Sequence, residues 1–162
     1  MIFVTVGHQM PFDRMIRAVD QWAADHPEQT VIAQIGESTY RPQHMEYYTL
    51  LGRDEFDDYL ERCDSVVAHA GTGTIIQVLG KNKPLLVLPR LSALAETRND
   101  HQIGTAEHFA RTGQLLAASD EASLQQQLDS LADFRPARHI GASASPELLA
   151  RLQGFLSEAT SG

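Results

Sequence analysis

Short aliphatic runs alternate with helix-patterned segments along almost the whole chain, and this alternation limits the possible fold more than any other feature. Strand-like runs occupy residues 2–6, 30–35, 47–51, 65–68, 84–88 and 114–117. Between them, apolar residues at helical spacing predict helices, the first beginning near Pro11 and the second N-capped by Asp54. The pattern predicts an α/β fold with a mostly parallel, doubly wound sheet.

Three loops are expected at the carboxyl ends of the strands, which is where such sheets bind their ligands. They comprise residues 7–11, 69–74 and 89–102. A binding crevice is therefore expected where these three loops meet.

The second loop has the sequence HAGTGT, residues 69–74, and a helix is expected to begin near Thr74. Small residues let a ligand approach the backbone, and the unpaired N–H groups of a helix start carry partial positive charge. Such a strand, turn and helix start are typical of a phosphate site. The alternative is that Gly71 and Gly73 serve only the geometry of a tight turn.

Two common nucleotide-binding motifs are absent. No G-x-x-x-x-G-K-[ST] segment occurs, and Ile76 stands where a G-x-G-x-x-G motif beginning at Gly71 needs its third glycine. A P-loop ATPase is excluded and a nicotinamide dinucleotide site is disfavoured. The net charge of −8 argues against general binding to nucleic acid or to an anionic membrane.

The remaining chemistry-bearing residues give weak signals. The seven histidines are scattered and there is a single cysteine, so neither a metal site nor a disulfide is expected. Cys63 is interpreted as a small core residue, and Asp57 with Asp58 as a solvated helix face. The 162 residues suit one domain, and no apolar run reaches the roughly 18 residues of a membrane span.

Four motifs, in order over roughly residues 1–115, together resemble a known family. VGHQMPFDRMIRAV, HAGTGT, KPLLVLPR and ETRNDHQ resemble the donor-binding domain of family 28 glycosyltransferases. The opening segment resembles small bacterial exopolysaccharide glycosyltransferase subunits. These are similar to the small subunit of the two-part eukaryotic enzyme that adds the second N-acetylglucosamine to a dolichol-linked precursor.

The resemblance implies a single Rossmann-like domain over residues 1–162, the nucleotide-sugar half of a GT-B glycosyltransferase. A membrane-associated partner subunit would supply the acceptor half and hold the chain at the cytoplasmic face of the membrane. Together they would transfer a hexose from a UDP-sugar, with inversion, to a lipid-linked acceptor in polysaccharide biosynthesis. No metal or other cofactor is implied. The alternative is a non-catalytic subunit that stabilises or enhances a partner glycosyltransferase.

The resemblance also assigns roles to individual residues. The loop at Gly7 would face the donor diphosphate, and Gln77 stands where one-chain members have a glutamate that binds the ribose hydroxyls. The general base would come from the partner, with His8 as the alternative; His8 would otherwise assist the diphosphate or cap the next helix. The other donor-binding residues implied are His69, Gly71, Thr72, Gly73, Thr74, Arg90, His101 and Gln102.

A last helix is expected after Ser145 and Pro146. Its apolar stripe could pack on its own domain or dock a partner. The stripe consists of Leu148, Leu149, Leu152, Phe155 and Leu156.

Overall fold

The structure is a computed structural model that describes residues 1–8 and 10–137. The expected C-terminal helix lies outside the described residues. The elements, in chain order, are β1 (Ile2–Thr5), α1 (Asp13–Asp25), β2 (Val31–Gln34), β3 (Glu46–Tyr48), α2 (Arg53–Arg62), β4 (Ser65–His69), α3 (Thr72–Gly80), β5 (Leu85–Leu88), a short 3-10 turn (Ser92–Leu94), α4 (His101–Arg111), β6 (Leu116–Ala117) and α5 (Glu121–Leu131).

The strands form one parallel sheet in the order β3-β2-β1-β4-β5-β6. The chain winds outward from β1 to β3, then crosses to the other side of β1 with β4. This is the strand order of a Rossmann fold, and the reversal between β1 and β4 is the switch point beside which such sheets bind ligands. The expected α/β fold with a doubly wound parallel sheet is confirmed.

Both faces of the sheet are covered by helices, so the strands are almost continuously aliphatic. Ile2 and Val4 of β1 pack into the layer that contains α1 and α5, whereas Phe3 packs into the layer of α2, α3 and α4. Cys63 is buried in the second layer, and its Sγ donates to the Leu60 carbonyl at 3.3 Å. Burial raises the pKa of the Cys63 thiol, which agrees with its interpretation as a core residue.

Two helices begin earlier than expected. The second is capped by Gly52, whose N–H donates to the Glu55 carboxylate at 2.9 Å, so Asp54 lies inside the first turn. The third begins at Thr72, because the Ile75 N–H already bonds to the Gly71 carbonyl at 3.0 Å. In both cases a glycine in extended conformation replaces the side-chain cap that sequence patterns favour.

The third strand also lies earlier, at Glu46–Tyr48 rather than 47–51. The Leu51 N–H donates to the buried Gln34 side-chain oxygen at 3.1 Å instead of to a carbonyl of the neighbouring strand. Backbone pairing is thus replaced by a side-chain contact where the chain leaves the sheet. Within the described part of the chain, no helix is both long and apolar enough to cross a membrane.

Candidate functional site

A cleft of about 350 Å³ lies outside the carboxyl ends of β1, β4 and β5, beside the switch point. All three loops expected to form a crevice contribute to it. The cleft is lined by Val6, Gly7, His8, Met10, His69, Gly71, Gly73, Thr74, Arg90, Glu96, Thr97, His101 and Gln102.

The imidazole of His69 stands between the loop after β1 and the turn after β4. A Cβ atom on Gly7 would lie 2.7 Å from His69 Cε1, and one on Gly71 would lie 2.2 Å from His69 Nε2. Gly7 also has a φ of +76°, a conformation that favours glycine. These two glycines are therefore required by the close approach of the ring and by the turn itself.

His69 is neutral at physiological pH. Burial, and secondly the nearby Arg90 charge, lower its pKa to about 4. Its Nδ1 atom is buried and has no hydrogen-bond partner among the residues that the structure describes. The ring is thus a neutral group at the floor of the site and a weak base.

Arg90 joins two of the cleft-lining loops. Its guanidinium donates to the carbonyl oxygens of Val6 at 2.9 Å, Met10 at 2.6 Å, Pro11 at 2.7 Å and Glu96 at 3.2 Å. The side chain is buried, and burial is the main cause of its lowered pKa. Arg90 holds the first loop in place and brings positive charge near the cleft.

The Glu96 carboxylate accepts hydrogen bonds from two neighbouring residues, Arg14 and Leu91. Arg14 donates to it through Nε at 2.8 Å and Nη2 at 2.9 Å, and the Leu91 N–H donates at 3.0 Å. No carboxylate lies within ion-pair distance of Arg90 among the described residues. The positive charge of Arg90 is therefore solvated by carbonyl dipoles rather than matched by an acid.

The start of α4 contributes two neighbouring residues, His101 and Gln102. His101 is exposed at the rim and contacts the Asn99 side chain. Gln102 is buried, and its Oε1 accepts from the Arg90 N–H at 3.1 Å. That bond fixes the amide orientation and leaves Nε2 of this cleft-lining residue as a donor, with no hydrogen-bond partner in the described part of the chain.

The first turn of α3 offers the backbone donors of the site. The N–H groups of Thr72, Gly73 and Thr74 precede the first bonded amide of the helix, that of Ile75. A Cβ on Gly73 would meet no atom within 4 Å, so the space in front of it is open. Backbone amides, a helix dipole and an open approach are what an anionic ligand requires.

All but two of the site residues implied by the motifs line the cleft. Thr72, which is partly buried, is not among the lining residues, and Gln77 lies one helical turn beyond, where it is exposed. Met10, Glu96 and Thr97 also line the cleft; they lie in the expected loops and within the quoted motifs, but the resemblance gave them no role. The expected crevice is present, and the roles of its residues stay predictions.

A second cleft, of about 440 Å³, lies at the amino end of the sheet. It is lined in part by Met1, Trp22, His26, Asp64 and Asp129. It is larger, but it has no open helix start and lies opposite the switch point. The carboxyl-end cleft is the better candidate site because its backbone donors and its position both suit a ligand. In residues 1–8 and 10–137, no group of three or more His, Cys, Asp or Glu residues could hold a metal ion.

Comparison with known proteins identifies the family of this chain. Residues 1–151 match the glycosyltransferase family 28 C-terminal domain. The chain is 29% identical over 142 residues to the UDP-N-acetylglucosamine transferase subunit ALG13 of Yarrowia lipolytica, covering 76% of this chain and 67% of that protein. It is 31% identical over 126 residues to the human ALG13 subunit, covering 70% of this chain but only 10% of the human protein.

Among solved structures, the NMR solution structure of ALG13 matches with a TM-score of 0.65 at 19% identity, covering 93% of both chains. At that identity the match concerns the fold alone. The Rossmann-like fold implied by the motifs is thus confirmed, and the family match confirms the resemblance to family 28 glycosyltransferases. The chain belongs to the glycosyltransferase family 28 C-terminal domain family.

Proposed function

We propose that the chain is the donor-binding subunit of a two-part inverting glycosyltransferase that uses a UDP-sugar. The observation that carries the proposal is the open first turn of α3 at Gly73, beside the switch point of the sheet. The donor diphosphate would lie against the amides of Gly73 and Thr74, with the Arg90 charge nearby. Similarity to UDP-N-acetylglucosamine transferase subunits supports UDP-N-acetylglucosamine as the donor.

In the proposed reaction, negative charge builds on the diphosphate as it leaves the anomeric carbon. Fixed backbone amides and the α3 dipole aimed at that point stabilise the charge without reorganising. Gln102 Nε2 and His101 would contact the donor sugar from the start of α4. The site would work without a metal ion or other cofactor.

The general base would come from a partner subunit that carries the acceptor site. His69 is a poor candidate, because a group with a pKa of about 4 holds a proton weakly at neutral pH. His8 is exposed at the cleft and is the alternative within this chain. We further propose that the partner is membrane-associated, that the acceptor is lipid-linked and that the product enters exopolysaccharide synthesis.

Calorimetric titration with UDP, UDP-N-acetylglucosamine and UDP-galactose tests the donor site, and a transfer assay to undecaprenyl-diphosphate-linked sugar tests the need for a partner. We expect the purified chain to bind UDP and one UDP-sugar but to transfer nothing alone. Efficient transfer by the chain alone would contradict the two-part proposal. Absence of any UDP binding would instead favour a non-catalytic subunit that stabilises a partner transferase.

A further inference from the structure

Glu96 is the one acid among the described residues that line the carboxyl-end cleft. A carboxylate in the wall of a site for a diphosphate is unexpected, because like charges repel and the repulsion is stronger where water is excluded. The Glu96 side chain is only 10% exposed, so solvent screens its charge little. The cleft therefore suits an anion only if another group balances this charge.

Arg14 of α1 provides that balance. Its Nε and Nη2 atoms donate to the two Glu96 carboxylate oxygens at 2.8 and 2.9 Å, a bidentate pair of charge-assisted bonds. Nη2 also donates to the Pro89 carbonyl at 3.0 Å, which ties α1 to the loop after β5. The Arg14 side chain is 12% exposed and is not among the lining residues. The pair is thus largely buried, with its acid at the cleft and its base outside it.

Arg90 is the second cation close to Glu96. Its bonds within the described chain go to main-chain oxygens, and one of them is the Glu96 carbonyl, at 3.2 Å. Burial lowers the pKa of Arg90, and the nearby Glu96 charge acts in the opposite direction, so the two charges interact. Because Arg14 binds both carboxylate oxygens, the charge of Arg90 is left uncancelled. Without Arg14, the carboxylate is free to offset Arg90 and to repel an anion.

We propose that Arg14 is a positioning residue that makes the cleft selective for anionic ligands, because it holds and neutralises the Glu96 carboxylate and leaves the Arg90 charge to the donor diphosphate. This inference rests on the proposed donor function and refines it. It assigns the charge balance of the site to a residue outside the cleft, and the resemblance gave no role to Arg14 or to Glu96. A ligand without phosphate gains nothing from this arrangement.

The test compares UDP with uridine, which has the same base and sugar but no phosphate. Titrations followed by ¹H–¹⁵N NMR measure weak affinities and report the fold of each variant. We expect Arg14→Met to weaken UDP binding by about tenfold and to leave uridine binding unchanged, because only the charged ligand is repelled by the released carboxylate. Arg17→Met is the matched control, since it removes the same charge from an exposed position of α1 outside the cleft. It should bind both ligands like the parent.

Removal of the acid separates charge balance from a merely structural role. Adding Glu96→Gln to Arg14→Met should restore most of the UDP affinity, and Glu96→Gln alone should bind UDP at least as tightly as the parent. If the Arg14–Glu96 pair only held the loop in place, each single variant would weaken UDP and uridine alike, and the double variant would recover nothing.

The outcomes distinguish this proposal from the donor function. If the parent binds UDP and Arg14→Met binds it equally well, the role of Arg14 is wrong while the donor function stands. Equal weakening of UDP and uridine in Arg14→Met also contradicts it. If Arg14→Met does not fold, Glu96→Gln decides, because weaker UDP binding by that variant overturns the proposal. If the parent binds no UDP at all, both proposals fail.

Discussion

The two glycines of the HAGTGT turn lie two residues apart but have different surroundings. Gly71 is pressed against the His69 ring, where an added Cβ would lie 2.2 Å from a ring nitrogen. Gly73 faces open space in the cleft, with nothing within 4 Å of an added Cβ. One glycine is required by the fold and the other is available to a ligand. The sequence left open whether these glycines serve a ligand or only the geometry of the turn. Turn geometry accounts for Gly71, and access for a ligand applies to Gly73.

This difference divides the cleft into a framework and a ligand-facing surface. Gly7, Gly71, His69 and Arg90 lock the loops after β1, β4 and β5 against one another. The first turn of α3 projects from that framework with its amides unused. Substitutions in the framework should alter stability, and substitutions at the α3 start should alter binding.

Replacing Arg90 should have the largest effect on stability. Arg90→Met leaves four carbonyl oxygens without their donor, and we expect a loss of about 3–5 kcal/mol in the free energy of unfolding. Urea unfolding followed by circular dichroism measures it. The control is Arg98→Met, which removes the same charge from an exposed position in the same loop. Equal unfolding midpoints for the two variants would contradict the role given to Arg90.

His69 should make stability depend on pH. Its pKa is about 4 in the folded chain against 6.5 for an ordinary histidine, so the unfolded state binds more protons between those values. The stabilising contribution is present above pH 6.5 and is lost as the pH falls towards 4, by up to about 3 kcal/mol.

The measurement is the free energy of unfolding at several pH values for the parent and His69→Gln. The difference between the two pH profiles isolates His69 from the carboxylates that titrate in the same range. We expect the parent to lose more stability than the variant below pH 6.5. Parallel profiles would show that the ring is not kept neutral by burial.

Gly71→Ala should destabilise the fold by about 1–3 kcal/mol through overpacking against His69. The ring cannot rotate away freely because Gly7 lies on its other side. Gly73→Ala is the matched control in the same turn, and we expect it to be neutral or slightly stabilising. Adding His69→Ala to Gly71→Ala should recover part of the loss, since it removes the clash. Equal stabilities of Gly71→Ala and Gly73→Ala would abolish the distinction between the two glycines.

The sequence predicted the parts of the site that depend on local pattern. The alternation of aliphatic runs with helix-patterned segments indicated the parallel sheet, and the loops at its carboxyl ends contain the cleft. The motifs did not predict the framework contacts, because these join residues far apart in sequence. Arg90 reaches the carbonyl of Val6, and Asp57 reaches Gln77 from another helix. Such contacts follow from packing, which a single sequence does not display.

The central claim is that the start of α3 binds the nucleotide. The most direct test compares the UDP affinity of Gly73→Val with that of Gly80→Val. Both glycines lie in α3 with open space at the Cβ position, but Gly80 is at the far end of the helix and does not line the cleft. Neither change should affect the fold by more than about 0.5 kcal/mol, which circular dichroism and urea unfolding can check. We predict that Gly73→Val weakens UDP binding by at least about tenfold, a loss of roughly 1.4 kcal/mol, while Gly80→Val binds like the parent. Equal UDP affinity in Gly73→Val and the parent would contradict the assignment of the α3 start as the nucleotide site.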